Sequence, residues 1–186
     1  MAHSLLWNPE HSIPEASPTQ ADMLPSFRES RGLPIEQWPH VLVPSTTVIV
    51  IAQTTRGNPW RILLQQRRDN GWWGLPGGRQ EIGESIQACA VRECLEETGY
   101  HVALERLVSI DSDPLHGAIS VYPDGKIVQY TCVTFLGTVI GGTLRCSPES
   151  TCVDWFAVEA LPSPLLPSHA WRLGMAQQTG SVMPVR

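Results

Sequence analysis

Residues 40–53 read HVLVPSTTVIVIAQ, and the β-branched run TTVIVIA is apolar without alternation, the pattern of a central strand buried on both faces. TTRGNP then has the composition of a turn, and WRILLQQRR, residues 60–68, predicts a second strand returning beside the first as a hairpin. A helical period takes over at residues 85–98: Ser85 stands where an N-cap is needed, Gly99 supplies a stop, and no proline interrupts. Strands are predicted again at 101–110, at 126–140 with a bulge, and at 152–158, and a last helix at 167–178. Residues 1–38 hold prolines and serines with no sustained period and predict an irregular arm, leaving one domain over residues 39–180. One helix embedded among strands, with another at the end, gives an α/β sandwich around a mixed sheet.

The embedded helix carries the candidate chemistry. On a wheel of ~100° per residue, Ala88, Ala90, Val91, Cys94 and Leu95 fall on one broad arc, whereas Glu93, Glu96 and Glu97 share an arc on the other side. Glu93 is one turn from both other glutamates, and each bare like-charged pair costs a few tenths of a kcal/mol. A divalent cation reverses that sign, and a donor set made only of oxygen favours Mg²⁺ or Mn²⁺ over zinc. The plainer alternative is a solvated acidic face with Arg92 paired to Glu96 at i+4.

Composition narrows the partners. A formal net charge of −5 leaves no basic field and argues against nucleic acid or an anionic membrane surface as a partner. No apolar run reaches the ~18–20 residues needed to span a bilayer, and the first twenty residues lack a basic start and a continuous apolar stretch, so neither membrane insertion nor export is expected. Cys89, Cys94, Cys132, Cys146 and Cys152 form an odd set with no CxxC pair, which fits a reducing, cytoplasmic setting.

Gly78, five residues, Glu84, seven residues and then RECLEETGY resemble the Nudix box, G-x5-E-x7-R-E-U-x-E-E-x-G-U with U apolar, at every charged and glycine position; Cys94 and Tyr100 stand at apolar positions. The likeness extends through RILLQQRRDNGWWGLPGGRQEIGES before the helix and VYPDGKIVQYTCVTFLGTVIGGTLRCSPESTCVDWFAVEALP after it, about residues 40–165. The resemblance implies a Nudix α/β/α sandwich with a mixed β-sheet and the box as loop–helix–loop. It implies Mg²⁺-dependent hydrolysis, Mn²⁺ able to substitute, of a pyrophosphate bond in a nucleoside diphosphate linked to another moiety. An ADP-ribose or nucleotide-sugar substrate is favoured over a dinucleoside polyphosphate or a (deoxy)nucleoside triphosphate, and hydrolysis over a non-catalytic nucleotide sensor, because such sensors lose box glutamates.

Residue by residue, the resemblance implies metal binding by Glu93, Glu96, Glu97 and the Gly78 carbonyl, with Glu84 beside the cluster or at a further metal. Arg92 orients these groups, and Glu93, Glu96, Arg92 and Glu149 form the catalytic set. Glu149, six residues before Trp155, is expected on a mobile loop as ligand or general base. Arg68 and Arg79, with Arg67, are candidates for phosphate, Trp72 for stacking on base or sugar, and Tyr122 for specificity; Trp73 is expected to pack. The expected partner is a small nucleotide, and a homodimer is compatible with the sequence without being specified by it.

Overall fold

The apolar run of the first strand is used on both of its faces, and the architecture follows from that. The computed structural model describes residues 39, 41–52, 61–121, 124–178 and 183–184; the arm expected over residues 1–38 and the TTRGNP turn lie outside the described residues. In chain order the elements are β1 (Val41–Ile51), β2 (Arg61–Arg67), β3 (Trp73–Gly74), α1 (Ile86–Thr98), β4 (Tyr100–Asp111), a 3-10 turn at Pro114–His116, β5 (Ile119–Val121), β6 (Ile127–Gly142), β7 (Ser150–Ala157), α2 (Pro167–Gln178) and β8 (Met183–Pro184). The sheet runs β3-β2-β1-β6-β4-β8, with β5 also paired to β6 and β7 to β2. β1 and β6 are parallel along the whole of β1, whereas β2 and β4 pair antiparallel with their neighbours, so the sheet is mixed.

Side chains that alternate along the strands feed two cores. Val48, Val50, Leu63 and Phe135 pack with Ala90 and Cys94 of α1, while Ile49, Ile62, Leu64 and Leu136 pack with Leu173 and Ala176 of α2. This is the expected α/β/α sandwich, with each buried aliphatic side chain contributing ~1.5–3 kcal/mol. Among the described residues no helix is long and apolar enough to cross a membrane.

The ends of α1 fall where Ser85 and Gly99 predicted them. Ser85 Oγ accepts from the Ala88 N–H at 3.1 Å, and Gly99, at φ 75°, donates its N–H to Leu95 O. The wheel needs one correction. Ala88, placed on the apolar arc, is exposed, and Cys89 is buried instead. The reason is that α1 is covered on two sides: the sheet meets Ala90, Cys94 and Thr98, and the loop preceding the helix meets Cys89, Glu93 and Glu97. β3, β5, β8 and the 3-10 turn escaped the sequence reading because two or three residues are too few to show a period.

That loop sits in a split of the sheet. β1 and β2 pair only near Ile51 and Ile62, then part, and residues 76–80 fill the gap along β1. The Thr46 N–H donates to Gly78 O, the Val48 N–H to Pro76 O and the Gln80 N–H to Pro44 O, at 2.9–3.1 Å. Gly77 lies at φ 151°, and a Cβ there would fall on the Thr46 carbonyl.

A Cβ at Gly99 would meet the Thr143 carbonyl in a left-handed backbone. Gly99→Ala is therefore expected to destabilise the fold by about 1–3 kcal/mol, read as a lowered melting temperature. An unchanged melting temperature would show that neither the conformation nor the contact matters.

Candidate active site

Three helix residues one turn apart, Cys89, Glu93 and Glu97, face three consecutive loop residues in reverse order. Cys89 Sγ donates to Arg79 O at 3.3 Å, Glu93 lies where a Cβ on Gly78 would stand, and Glu97 Oε2 accepts from the Gly77 N–H at 2.7 Å. Only glycine leaves room for the Glu93 carboxylate beside residue 78. Glu97 is therefore half-buried rather than on the solvent-facing arc that the wheel suggested. Burial, reinforced by the charges of Glu93 and Glu149, pushes its carboxyl up to about 7 against hydrogen bonds from Gln65 and Gly77. Burial also raises Glu93, and Glu96 and Glu149 act in the same direction.

Arg92 organises the other side. Its guanidinium binds Glu84 through Nε and Nη2 at 3.1 and 2.7 Å, and through Nη1 reaches Glu93 at 2.9 Å and Glu96 at 3.2 Å. Nη2 also donates to Arg79 O at 3.1 Å, tying the helix to the loop. These bonds hold the Glu84 carboxyl down to about 2 and raise Arg92 further. The expected i+4 pair with Glu96 thus exists, as one arm of a hub that fixes three glutamates.

Beside Glu97 opens a cleft of about 320 Å³ lined by Gln65, Arg67, Arg68, Asp69, Glu97 and Glu149. Arg67 is paired with Asp69 at 2.6 Å; that hydrogen bond raises its guanidinium, and the charges of Glu97 and Glu149 push it the same way. Glu149 is not on a loosely held loop. The Arg68 N–H donates to Glu149 O, Arg68 Nε to Pro148 O and Nη2 to Ser150 O, all at 2.8–2.9 Å. At the far end of the same loop, the Thr143 N–H donates to Gly99 O and the Arg145 N–H to Thr98 O, fastening it to the end of α1.

The structure thus brings Glu84, Arg92, Glu93, Glu96, Glu97 and Gly78 together around the box, and Glu149 and Arg68 onto the cleft beside it. Arg79 is held against the Tyr130 hydroxyl at 2.9 Å and lies over its ring. Trp72 is 36% exposed, its backbone N–H bonded to Asn70; Trp73 packs edge-on against Phe156 as expected. Tyr122 lies outside the described residues. Two contributors were missed. Gln65 hydrogen-bonds Glu97 and accepts from Ser150 Oγ; in RILLQQR it follows the apolar run beside a second glutamine, and no local pattern singles it out. His169 of α2 accepts from the Leu75 N–H through Nδ1 at 2.7 Å and fixes the start of the box loop, and burial depresses its basicity strongly.

The donor set fits a hard divalent cation. Its candidate ligands are carboxylates and a peptide oxygen, and the neighbouring carboxylate charges raise the affinity of Glu93 and Glu97 for positive charge. Among the described residues no three acidic, histidine or cysteine side chains close around a cation as they stand. Arg92 draws Glu84, Glu93 and Glu96 to one side, and Gly77 holds Glu97 on the other. The Gly78 carbonyl already accepts from Thr46 and retains one lone pair.

The family model described as the NUDIX domain matches residues 42–177. The chain belongs to the NUDIX family. It is 36% identical over 110 residues to a Bacillus subtilis (strain 168) protein provisionally named an 8-oxo-dGTP diphosphatase, covering 59% of this chain and 66% of that one. It is 32% identical over 105 residues to the ADP-ribose pyrophosphatase of Methanocaldococcus jannaschii, covering 55% and 57%. The chain thus spans less than two thirds of the length of these relatives. Among solved structures, an ADP-ribose pyrophosphatase from Streptococcus suis superposes with a TM-score of 0.56 at 25% identity, over 76% of this NUDIX chain and 96% of that one.

The raised carboxyl of Glu97 gives a signed expectation for the metal-free protein. Its folded form binds the proton more tightly than an unfolded glutamate at about 4.3, so its stabilising effect is complete below that value and is lost as pH rises through about 7. Glu97→Gln should raise the melting temperature in EDTA at pH 8 by about 2–8 °C and leave it nearly unchanged at about pH 4, below the unfolded value. A lower melting temperature at pH 8 would show that the charge stabilises the fold.

Proposed function

We propose that this NUDIX chain hydrolyses a pyrophosphate bond in a nucleoside diphosphate linked to another moiety, with Mg²⁺ as cofactor and Mn²⁺ able to replace it. The observation that carries this reading is the juxtaposition of the half-buried, proton-hungry Glu97 with Glu149 and two arginines in one cleft. Acidic groups that repel one another call for a cation, and Arg67 across the cleft suits an anion. When bound, the divalent metal neutralises charge on the phosphate oxygens and makes a water molecule easier to deprotonate.

Glu93 and Glu97, with Glu96 and the Gly78 carbonyl, would hold the metal. Arg92 and Glu84 fix the orientation of Glu93 and Glu96. Arg67 can leave the exposed Asp69 for a phosphate oxygen, exchanging one ion pair for another. Glu149, over the same cleft, is the first candidate to take the proton of the attacking water, and Glu93 the second. Trp72 remains available to stack on a base or sugar.

An ADP-ribose or nucleotide-sugar substrate is the favoured class, supported by the two ADP-ribose pyrophosphatases among the relatives. The relative named for 8-oxo-dGTP keeps nucleoside triphosphates as the alternative. The deciding experiment is a hydrolysis screen with Mg²⁺ across ADP-ribose, nucleotide sugars, dinucleoside polyphosphates and (deoxy)nucleoside triphosphates. Turnover of at least one class, abolished by EDTA and restored by Mg²⁺ or Mn²⁺, is expected. Inactivity on all four, or full activity in EDTA, would overturn the reading.

On the substrate so found, Glu149→Gln should lower kcat by about 10²–10⁴-fold, with KM nearly unchanged and an altered pH profile. If kcat stays at the wild-type level at every pH, Glu149 is a bystander.

A further inference from the structure

We infer that Arg68 is the positioning residue for Glu149, resting on the proposed hydrolysis in this cleft: it clamps the peptides on both sides of that glutamate, and phosphate binding is not its role. Its backbone N–H and two of its guanidinium N–H groups donate to three successive carbonyls, those of Glu149, Pro148 and Ser150. Three bonds from one residue to three consecutive peptides leave the Glu149 backbone little freedom to rotate. Only a planar fork of donors on a long stem can reach two carbonyls two residues apart at 2.8 and 2.9 Å.

The surrounding chain is shaped for this contact. Residues 147–150 form a turn closed by the Ser150 N–H to Ser147 O, and the Glu149 N–H donates to Ser147 Oγ at 3.2 Å. At the base of the turn the β2–β7 register slips: Gln66 stands opposite Cys152 but Arg67 opposite Ser150, so Thr151 is an extra residue, its hydroxyl tied to the Gln66 side chain at 2.9 Å. A bulge of this kind re-aims the side chains beside it, and Arg67 and Arg68, neighbours in sequence, both line the cleft. The two arginines then divide the work. Arg67 holds an exposed side-chain carboxylate it can exchange, whereas both described guanidinium bonds of Arg68 are spent on carbonyls of the turn that carries Glu149.

The consequence is a separation of position from charge. A guanidinium acting on phosphate would help bind substrate and would tolerate lysine, which keeps the charge. A clamp on carbonyls would not tolerate lysine, whose single ammonium lacks the fork, and its loss would displace the Glu149 carboxylate without emptying the cleft of positive charge. Misplacement of a reacting group by about 1 Å costs about 10²-fold in rate.

The test is Arg68→Lys, read by kinetics and by amide hydrogen exchange on the intact chain. Expected are a fall in kcat of about 10²-fold with KM within about twofold, and faster exchange confined to residues 146–151, with α1 and the central strands unchanged. In a Glu149→Gln background the same substitution should cost less than about threefold more, because residues acting as a unit are not additive. A raised KM with kcat retained would make Arg68 a substrate ligand and overturn the clamp, as would a full additional loss in the double variant. Unchanged exchange at residues 146–151 would overturn it regardless of activity. A wild-type protein inactive on every diphosphate sinks the proposed reaction instead, and exchange alone then decides the clamp.

Discussion

The contact on which the site depends is the row Cys89, Glu93, Glu97 laid against Arg79, Gly78, Gly77. A helix presents residues i, i+4 and i+8 as one stripe, and here that stripe meets a peptide running the other way, one loop residue per helical turn. Gly78 leaves room for Glu93 and Gly77 lets the same loop lie against β1, and the approach removes water from two carboxylates. Desolvating a carboxylate is unfavourable unless something offsets it. The Gly77 N–H offsets part of it at Glu97, and Arg92 does so at Glu93. The remainder appears as the raised affinity of both groups for positive charge.

Compensation is unequal across the helix. On the Arg92 side a single guanidinium satisfies three glutamates and a carbonyl, a rigid ion network in which each partner restrains the others. On the Glu97 side no cationic side chain among the described residues is paired with the carboxylate; Arg67 and Arg68 lie across a cleft and are engaged elsewhere. One side of the box is a closed account of charge, and the other is open to an incoming cation. His169, from α2, steadies the loop between them, so both layers of the sandwich contribute to one small region.

Much of this was legible before any coordinates. TTVIVIA announced the central strand, Ser85 and Gly99 bounded the helix, and the spacing from Gly78 to Gly99 named the glutamates and their arginine. What the wheel could not show was which element would cover the acidic arc. It treated solvent as the default, and the loop of residues 77–79 took that place, burying Cys89 and half-burying Glu97 while leaving Ala88 exposed. Gln65 and His169 were illegible for a related reason: each acts through one partner far away in sequence, Glu97 and Leu75, and no local period records such a meeting. Glu149 was found by its distance from Trp155, but the fastening of its loop lies in backbone groups, which carry no side-chain signature.

The parting of β1 and β2 has a consequence of a different kind. Where the two strands separate, β1 would present a row of bare N–H and C=O groups, the template on which another extended chain can grow. Residues 76–80 cover that row by accepting from Thr46 and Val48 and donating to Pro44. The segment that shapes the acidic pocket is thus also the guard of an open sheet edge. Dislodging it exposes a β-branched, strongly strand-forming segment to strand addition, so the residues that hold the loop in place protect the solubility of the chain along with its chemistry.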